Sequence, residues 1–341
     1  MKNPQTPSIK FIAEMSHCSA ASVSNVINAK GSVGEKTKSL ILENIRKYNY
    51  RINPSARSLK VRVSETVAIY FRENINLFKS EFYLNLMRGM QKRISENGYD
   101  LLLCEQETGP DIKNAIPRFV VRSKADAVVI MNSEISDDMR NILTDYKMPS
   151  LMLDSYSPDM DSIASDGFSA TGEIVSYLFR MKHRRIAYFG YAKEMRNSET
   201  RMNGFLNGAR HNGIQDTCKI CKIFLSEDEA IMEFDRIFSK KNHPTAVVAS
   251  TDPLACSLMK HAQDLGFSVP RDISFFGYGN ILMSTNCTPL LSTVNVDSFK
   301  LGQMGADMII SRIKNPDMPI VQTLFPTKLV LRESVAVCAE K

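Results

Sequence analysis

The chain has 341 residues, of which 43% are hydrophobic and 23% charged, with a formal charge of +6 and seven cysteines. That length asks for two or three domains, and that balance is the balance of a globular protein. No apolar run approaches the roughly 18 residues of a membrane span, and no apolar signal core follows Lys2, so neither membrane insertion nor secretion is expected. An odd number of scattered cysteines suits no disulfide framework, and a reducing cytoplasm is the expected location.

The charge is unevenly placed. Residues 1–62 carry eleven Lys/Arg and three Glu, whereas the rest of the chain carries 32 basic against 34 acidic groups. A basic module on a near-neutral body is what attraction to phosphate requires, although a solvated basic tail has the same composition. Periodicity decides against a tail. Ser8 can N-cap a short helix with Ile9, Ile12 and Ala13 on one face, and Ser16-His17-Cys18 interrupts the pattern. Ser19 can cap a second helix in which Val23, Val26 and Ile27 face inward. A third follows Gly31, with Val33, Thr37, Leu40, Ile41, Ile45 and Tyr48 on its buried stripe. Two short helices closed by a longer third predict a helix-turn-helix headpiece over 1–52.

Asn53-Pro54 then reads as an N-cap followed by proline at the first helical position, leading a helix of under two turns within a hinge over 53–63. A helix so short orders only when something packs on it. From residue 64 short apolar runs alternate with amphipathic stretches. The expected strands are Thr66–Phe71, Asp100–Cys104, Ala127–Met131, Ser150–Asp154, Arg185–Phe189, Cys221–Leu225, Ala246–Ser250 and Ile273–Tyr278. Helices are expected at Phe82–Asn97, Phe168–Met181 and Asp252–Leu265. This alternation predicts an α/β core of two doubly wound parallel-sheet lobes, with a ligand crevice where the C-terminal ends of the strands converge.

These residues resemble the lactose/galactose repressor family. The match runs through Ser19-Ala20-Ala21-Ser22-Val23-Ser24-Asn25-Val26-Ile27-Asn28, Val33-Gly34-Glu35-Lys36-Thr37 and Asn53 to Lys60. It continues in Met87-Arg88-Gly89, His183-Arg184-Arg185-Ile186-Ala187, Arg201-Met202-Asn203-Gly204-Phe205, Val269-Pro270-Arg271-Asp272-Ile273 and Leu331-Arg332-Glu333-Ser334. The resemblance implies a core like the periplasmic binding proteins, crossed between lobes near residues 163, 292 and 326. One lobe then holds about 64–163 and 293–326, the other about 164–292 and 327–341. It also implies a homodimer on a pseudo-palindromic operator, with paired hinge helices opening the minor groove. No leucine heptads follow the core, so a dimer is expected over a tetramer.

By the same resemblance the second helix enters the major groove. Its candidate outward residues are Ala20, Ala21, Ser24, Asn25 and Asn28, while Ser19, Ser22, Ser24 and Thr37, with Lys36 and Lys38, are placed for phosphates, or the hydroxyls for helix capping. Alanine methyls favour thymine and asparagine suits adenine, so A·T pairs are expected there; equally, the small residues could simply permit close approach. Leu59 is the expected intercalating residue, flanked by Arg57 and Lys60. The expected effector contacts are Phe82, Tyr83, Asp154, Asp166, Arg201 and Asp252, each with a structural alternative: an aromatic pair in the core, or a helix cap at Asp252.

The family's Gly-Tyr-Asp reads Gly277-Tyr278-Gly279-Asn280 here, Thr251 replaces an asparagine, there is no tryptophan, and Asn74–Lys79 lengthens a cleft-edge loop. A simple pyranose effector is therefore placed in doubt, and a sugar derivative or other small molecule is expected. Cys218-Lys219-Ile220-Cys221 lacks a second Cys/His pair to complete a zinc site, and no nucleophile elbow or phosphate-cradling glycine motif occurs. The expected function is a cytoplasmic repressor of carbohydrate or related metabolic genes, without catalysis or cofactor. The alternatives are control by a protein corepressor, or a solute-binding protein without DNA function.

Overall fold

The computed structural model describes residues 8–27, 33–48, 63–71, 77–105, 120, 124–131, 135–191, 196–223 and 227–339. The chain divides into two units, Met1–Ser64 and Glu65–Lys341. The hinge positions Arg57, Leu59 and Lys60, together with Asn28, lie outside the described residues, as do residues 74–76 of the expected loop insertion.

In the first unit, three helices surround a small core: α1 (Ile9–Met15), α2 (Ala20–Ile27) and α3 (Glu35–Lys47). Ser8 caps α1 by accepting from the Phe11 amide. Ile12, Ala13, Val23 and Ile41 are the buried centre, with Phe11 and Tyr48 meeting edge to face at 5.0 Å. One expectation is corrected here. Leu40 is 38% exposed. The inward position three residues after Ile41 belongs instead to Asn44, whose amide donates to the Met15 carbonyl at 3.1 Å and to the Ser16 hydroxyl at 3.0 Å. A polar side chain is tolerated there because the turn between α1 and α2 presents carbonyl and hydroxyl groups that need partners.

The second unit is built on two parallel sheets. The larger has the order β11-β5-β4-β3-β1-β2. Its strands are β1 (Thr66–Phe71), β2 (Asp100–Glu105), β3 (Ala127–Met131), β4 (Ser150–Leu153), β5 (Asp161–Ser165) and β11 (Gln322–Phe325). The smaller has the order β7-β6-β8-β9, formed by β6 (Ile186–Tyr191), β7 (Lys219–Ile223), β8 (Ala246–Ala249) and β9 (Ser274–Phe276). A short antiparallel pair, β10 (Thr293–Asn295) and β12 (Lys328–Val330), completes the strands among the described residues. β3 and β8 are buried along their whole length, which is why they read as unbroken apolar runs: helices cover both faces of a parallel sheet. β2, at an edge, leaves Leu103 substantially exposed.

Among the described residues the principal α-helices of this unit are α4 (Glu81–Glu96), α5 (Asp137–Asp145), α6 (Gly167–Arg180), α7 (Arg196–His211), α8 (Glu227–Phe238), α9 (Asp252–Asp264) and α10 (Ser298–Lys314). Two pairs pack backbone to backbone. Between α4 and α10, a methyl on Gly302 would stand 2.0 Å from the Leu86 carbonyl oxygen, and one on Gly89 would stand 1.9 Å from that of Phe299. Between α6 and α7, a methyl on Gly204 would stand 2.2 Å from the Phe168 carbonyl oxygen. The second contact sets the site, because it brings the N-terminus of α6 against Arg201, one turn before Gly204.

Four strands escape the sequence pattern: β5, β10, β11 and β12. Strand β5 is wholly buried although it reads Asp-Ser-Ile-Ala-Ser. Its Asp161 carboxylate is neutralised by Arg312, with N···O distances of 2.7 and 2.8 Å, and also accepts from the Val321 amide. The expected strand Cys221–Leu225 starts two residues earlier, at Lys219, and Asp154 lies just beyond the end of β4.

Candidate functional site

The side chains that matter converge at the strand ends between the two lobes. Asp154 follows β4 with φ of 53°, a left-handed conformation that asparagine and aspartate accept more readily than other residues. That turn aims its carboxylate inward, where Oδ2 accepts from the Tyr83 hydroxyl at 3.2 Å. Tyr83 comes from the first turn of α4, with Phe82 edge to face against it at 5.3 Å. From the other lobe Asn197 donates to the Asp154 carbonyl at 2.6 Å.

Arg201 lies opposite. Its guanidinium stacks over the Tyr278 ring at 3.9 Å and donates to the Ser250 carbonyl at 2.8 Å. The Tyr278 hydroxyl in turn donates to the Ser165 hydroxyl at 3.0 Å, a bond from the small-sheet lobe to the end of β5. Asp154 and Arg201 are 2% and 8% exposed, yet Asp154 Oδ1, Arg201 Nε and Ser250 Oγ have no hydrogen-bond partner among the described residues. Buried polar atoms normally find partners, so three orphans on these facing residues are functional candidates.

Burial governs the electrostatics. It lifts the Asp154 carboxyl to about 6, against the pull of Arg201 and the Tyr83 hydroxyl. Burial also works against the Arg201 charge, but Tyr278 and Asp154 more than compensate, so the guanidinium stays protonated. The Tyr278 phenol is pushed up by the same burial. The two facing residues thus offer one fixed positive charge and one carboxyl that titrates at about 6.

Two other expected residues have duties within the fold. Asp166 caps α6 by accepting from the Ser169 amide at 3.0 Å, and its own amide donates to the Phe325 carbonyl. Asp252 is wholly buried; its Oδ2 accepts from the Ile281 amide at 3.0 Å and Oδ1 from the Thr293 hydroxyl. It braces the loop after β9, where a methyl on Gly277 would stand 2.3 Å from Asp252 Oδ1. In the same loop Asn280 accepts from Arg332 at 2.6 Å and donates to Asn295 at 2.8 Å. Sequence reasoning missed Tyr278, Ser250 and Asn197 as parts of the site. Only Tyr278 carried a signal, as the middle residue of Gly277-Tyr278-Gly279.

On the headpiece, Ser19 accepts from the Ser22 amide at 3.0 Å and so caps α2. Ala21 and Asn25 are exposed four residues apart on one face of α2. Ser22 and Ser24 are half-buried, and Ala20 packs against the small core rather than standing clear of it. Thr37 is half-buried in the first turn of α3, beside exposed Lys36 and Lys38. Among the described residues no helix is long and apolar enough to cross a membrane, and no His, Cys, Asp or Glu group is arranged to hold a metal ion.

The chain thus joins a three-helix unit to a second unit of two parallel-sheet lobes, with polar groups facing each other between those lobes. The periplasmic binding protein-like domain family matches residues 175–335. The HTH-type transcriptional repressor PurR of Mannheimia succiniciproducens is 25% identical over 332 residues, covering 96% of this chain and 98% of that protein. Its namesake from Vibrio vulnificus is 27% identical over 331 residues, with the same coverage. Among solved structures, the lac repressor dimer bound to operator and the anti-inducer ONPF superposes with a TM-score of 0.84 at 21% identity, over 96% of this chain and 99% of that one. The transcriptional regulator CelR in complex with cellobiose gives 0.70 at 21%, with the same coverage. Over nearly its whole length the chain is thus similar to DNA-binding transcriptional repressors with an effector-binding core.

Proposed function

We propose that this chain represses transcription as a homodimer on a roughly two-fold symmetric operator, and that a small polar effector bound between Asp154 and Arg201 sets its affinity for DNA. The observation that carries the reading is the pair of opposed, buried, charged side chains whose remaining polar atoms lack partners. Such a wall suits a ligand that accepts from Arg201 Nε and donates to Asp154 Oδ1, as a hydroxylated or amide-bearing molecule can. A sugar or sugar derivative meets that description. The relatives that bind operator DNA or cellobiose support the general scheme.

The chain's domains follow from this reading: a reading head over 1–52, a hinge over 53–63 and the two-lobed core from 64. Ala21 and Asn25 face base edges, Ser19, Ser22, Ser24 and Thr37 approach phosphates, and Leu59 with Arg57 and Lys60 acts at the operator centre. Lobe closure on the effector then shifts the DNA-bound equilibrium by about 1–3 kcal/mol, the ordinary range of allosteric coupling. A protein that reads DNA in this way works in the cytoplasm.

The test is selection of DNA fragments at fixed salt by the full chain and by a version beginning at Ser64. Enrichment of a symmetric site by the full chain alone supports the reading, with A·T pairs opposite Asn25. Equal enrichment by both versions, or selection of G·C at that contact, contradicts the corresponding part.

A further inference from the structure

The loop after β9 leads into a short 3-10 helix, Leu282–Thr285, whose N-cap residue is Ile281. Isoleucine has no polar side chain with which to cap, so the first amides of that helix need acceptors from elsewhere. Two carboxylates supply them. Asp252, from α9 of the same lobe, accepts from the Ile281 amide at 3.0 Å. Glu81, from the first turn of α4 in the opposite lobe, accepts from the Leu282 amide at 2.8 Å.

An acidic residue in the first turn of a helix ordinarily answers that helix's own dipole. At α4 the side-chain cap is Ser80, which accepts from the Tyr83 amide at 3.5 Å, and Glu81 turns its carboxylate to the other lobe instead. Its partner is firmly held. Arg332 donates to Asn280 at 2.6 Å and to the buried Ser284 hydroxyl at 3.2 Å, and Asn280 donates to Asn295 at 2.8 Å, so Leu282 moves with the small-sheet lobe. Two further bonds across the cleft, Tyr278 to Ser165 and Asn197 to Asp154, join buried residues, and Ser165 ends β5, where the chain crosses to α6. Leu282, by contrast, is 62% exposed, which puts the Glu81 bond at the mouth. A contact far from the crossover is displaced furthest when lobes swing apart, so this one breaks first.

We infer that Glu81 is a latch, whose bond to the Leu282 amide holds the two lobes together at the mouth of the cleft. Phe82 and Tyr83 are the next residues of α4, so the latch stands beside the effector contacts expected there, and a molecule entering between the lobes waits for it to open. That consequence rests on the effector reading above; the bond itself does not.

The experiment is hydroxyl-radical footprinting of the full chain, read by mass spectrometry with no effector added. It compares the wild type with Glu81→Ala, which removes the acceptor, and Leu282→Pro, which removes the donor. Proline is favoured at the first position of a helix, and Ile281, at φ −79° and ψ 167°, already has the extended backbone that a following proline requires. Labelling of the buried Tyr83 and Tyr278 should rise about fivefold in each variant, the factor that one net hydrogen bond carries, and no further in the double variant. Met90 and Met259, in the cores of the two lobes, should stay protected, and Leu282→Ala, which keeps the amide, should match the wild type. Unchanged tyrosine labelling in Leu282→Pro, effects that add in the double variant, or exposure of both methionines in both single variants overturns the latch. Raised tyrosine labelling with unchanged affinity for the selected DNA supports the latch and contradicts only the effector-linked regulation.

Discussion

The guanidinium carbon of Arg201 stands 3.9 Å from the ring centroid of Tyr278, while Asp154 and Arg201 interact across the cleft without the direct contact of a salt bridge. The tyrosine holds the guanidinium by a cation–π contact, and the glycine-mediated approach of α6 to α7 brings Arg201 against the start of α6. Arg201 thereby neutralises Asp154 at a distance that leaves both able to reach a third group.

The first expectation concerns this coupling. Arg201→Met leaves Asp154 as a buried carboxylate without its counter-charge, a loss of about 3–5 kcal/mol for groups of this kind. Adding Asp154→Asn recovers most of that loss, because the uncompensated charge is gone. Urea denaturation of the two single variants and the double variant measures the coupling. Simple addition of the two single effects would show that the charges do not interact.

The second concerns pH. Burial holds the Asp154 carboxyl at about 6 in the folded chain against an ordinary 3.8, so the folded state binds this proton more tightly than the unfolded state does. Its favourable contribution is therefore complete below 3.8 and lost as pH rises through about 6. By pH 7 the carboxylate costs about 3 kcal/mol as an order of magnitude. Asp154→Asn is accordingly more stable than the wild type at pH 7, with the difference vanishing toward pH 4. His183, held down at about 4 by burial, titrates equally in both proteins and cancels from the comparison. Denaturation at several pH values measures the difference, and a gap independent of pH contradicts the assignment. Effector affinity of the variant should fall, since a carboxylate acceptor is lost.

The third separates two glycines of one helix pair. A methyl on Gly204 meets backbone at 2.2 Å, whereas one on Gly172 stands 3.4 Å from the nearest atom, the Gly204 carbonyl oxygen. Gly204→Ala is expected to destabilise the core by about 1–3 kcal/mol or more through forced separation of α6 and α7. Gly172→Ala stays near neutral, since the better helix propensity of alanine, about 1 kcal/mol, offsets the tight contact. Thermal melting distinguishes them; equal effects would mean that the helices adjust freely.

Much of this was legible in the sequence, and the exceptions share a cause. Thr66–Phe71 and Ala127–Met131 are strands to the residue, because interior parallel strands are apolar throughout. Tyr83, Asp154 and Arg201 do converge on the cleft, and Ser8 and Ser19 do cap their helices. Strand β5 escaped notice because its polarity is answered by Arg312, more than a hundred residues away in the chain. Asp252 could be read as a cap or as a contact, and only the tertiary fold reveals Thr293 and Ile281 as its partners. Tyr278, Ser250 and Asn197 act through one another or through backbone carbonyls, and no periodicity encodes such an arrangement.

The last expectation turns on Asn44. Read by pattern, leucine at this inward position of α3 should improve the headpiece core. The structure reverses that, because the Asn44 amide satisfies both the Met15 carbonyl and the Ser16 hydroxyl at the break between α1 and α2. Asn44→Leu removes the donor and buries those acceptors without partners, at about 1–3 kcal/mol. The turn before Ser19 then loosens, and with it the cap that starts α2. Amide hydrogen exchange on the full chain, read by mass spectrometry, should show faster exchange across α1–α3 in Asn44→Leu while β1, β3 and β8 are unchanged. DNA selected by the wild type should be bound more weakly by the variant. Slower exchange in the headpiece would mean that apolar packing outweighs the two hydrogen bonds, and Asn44 would then be retained for something other than stability.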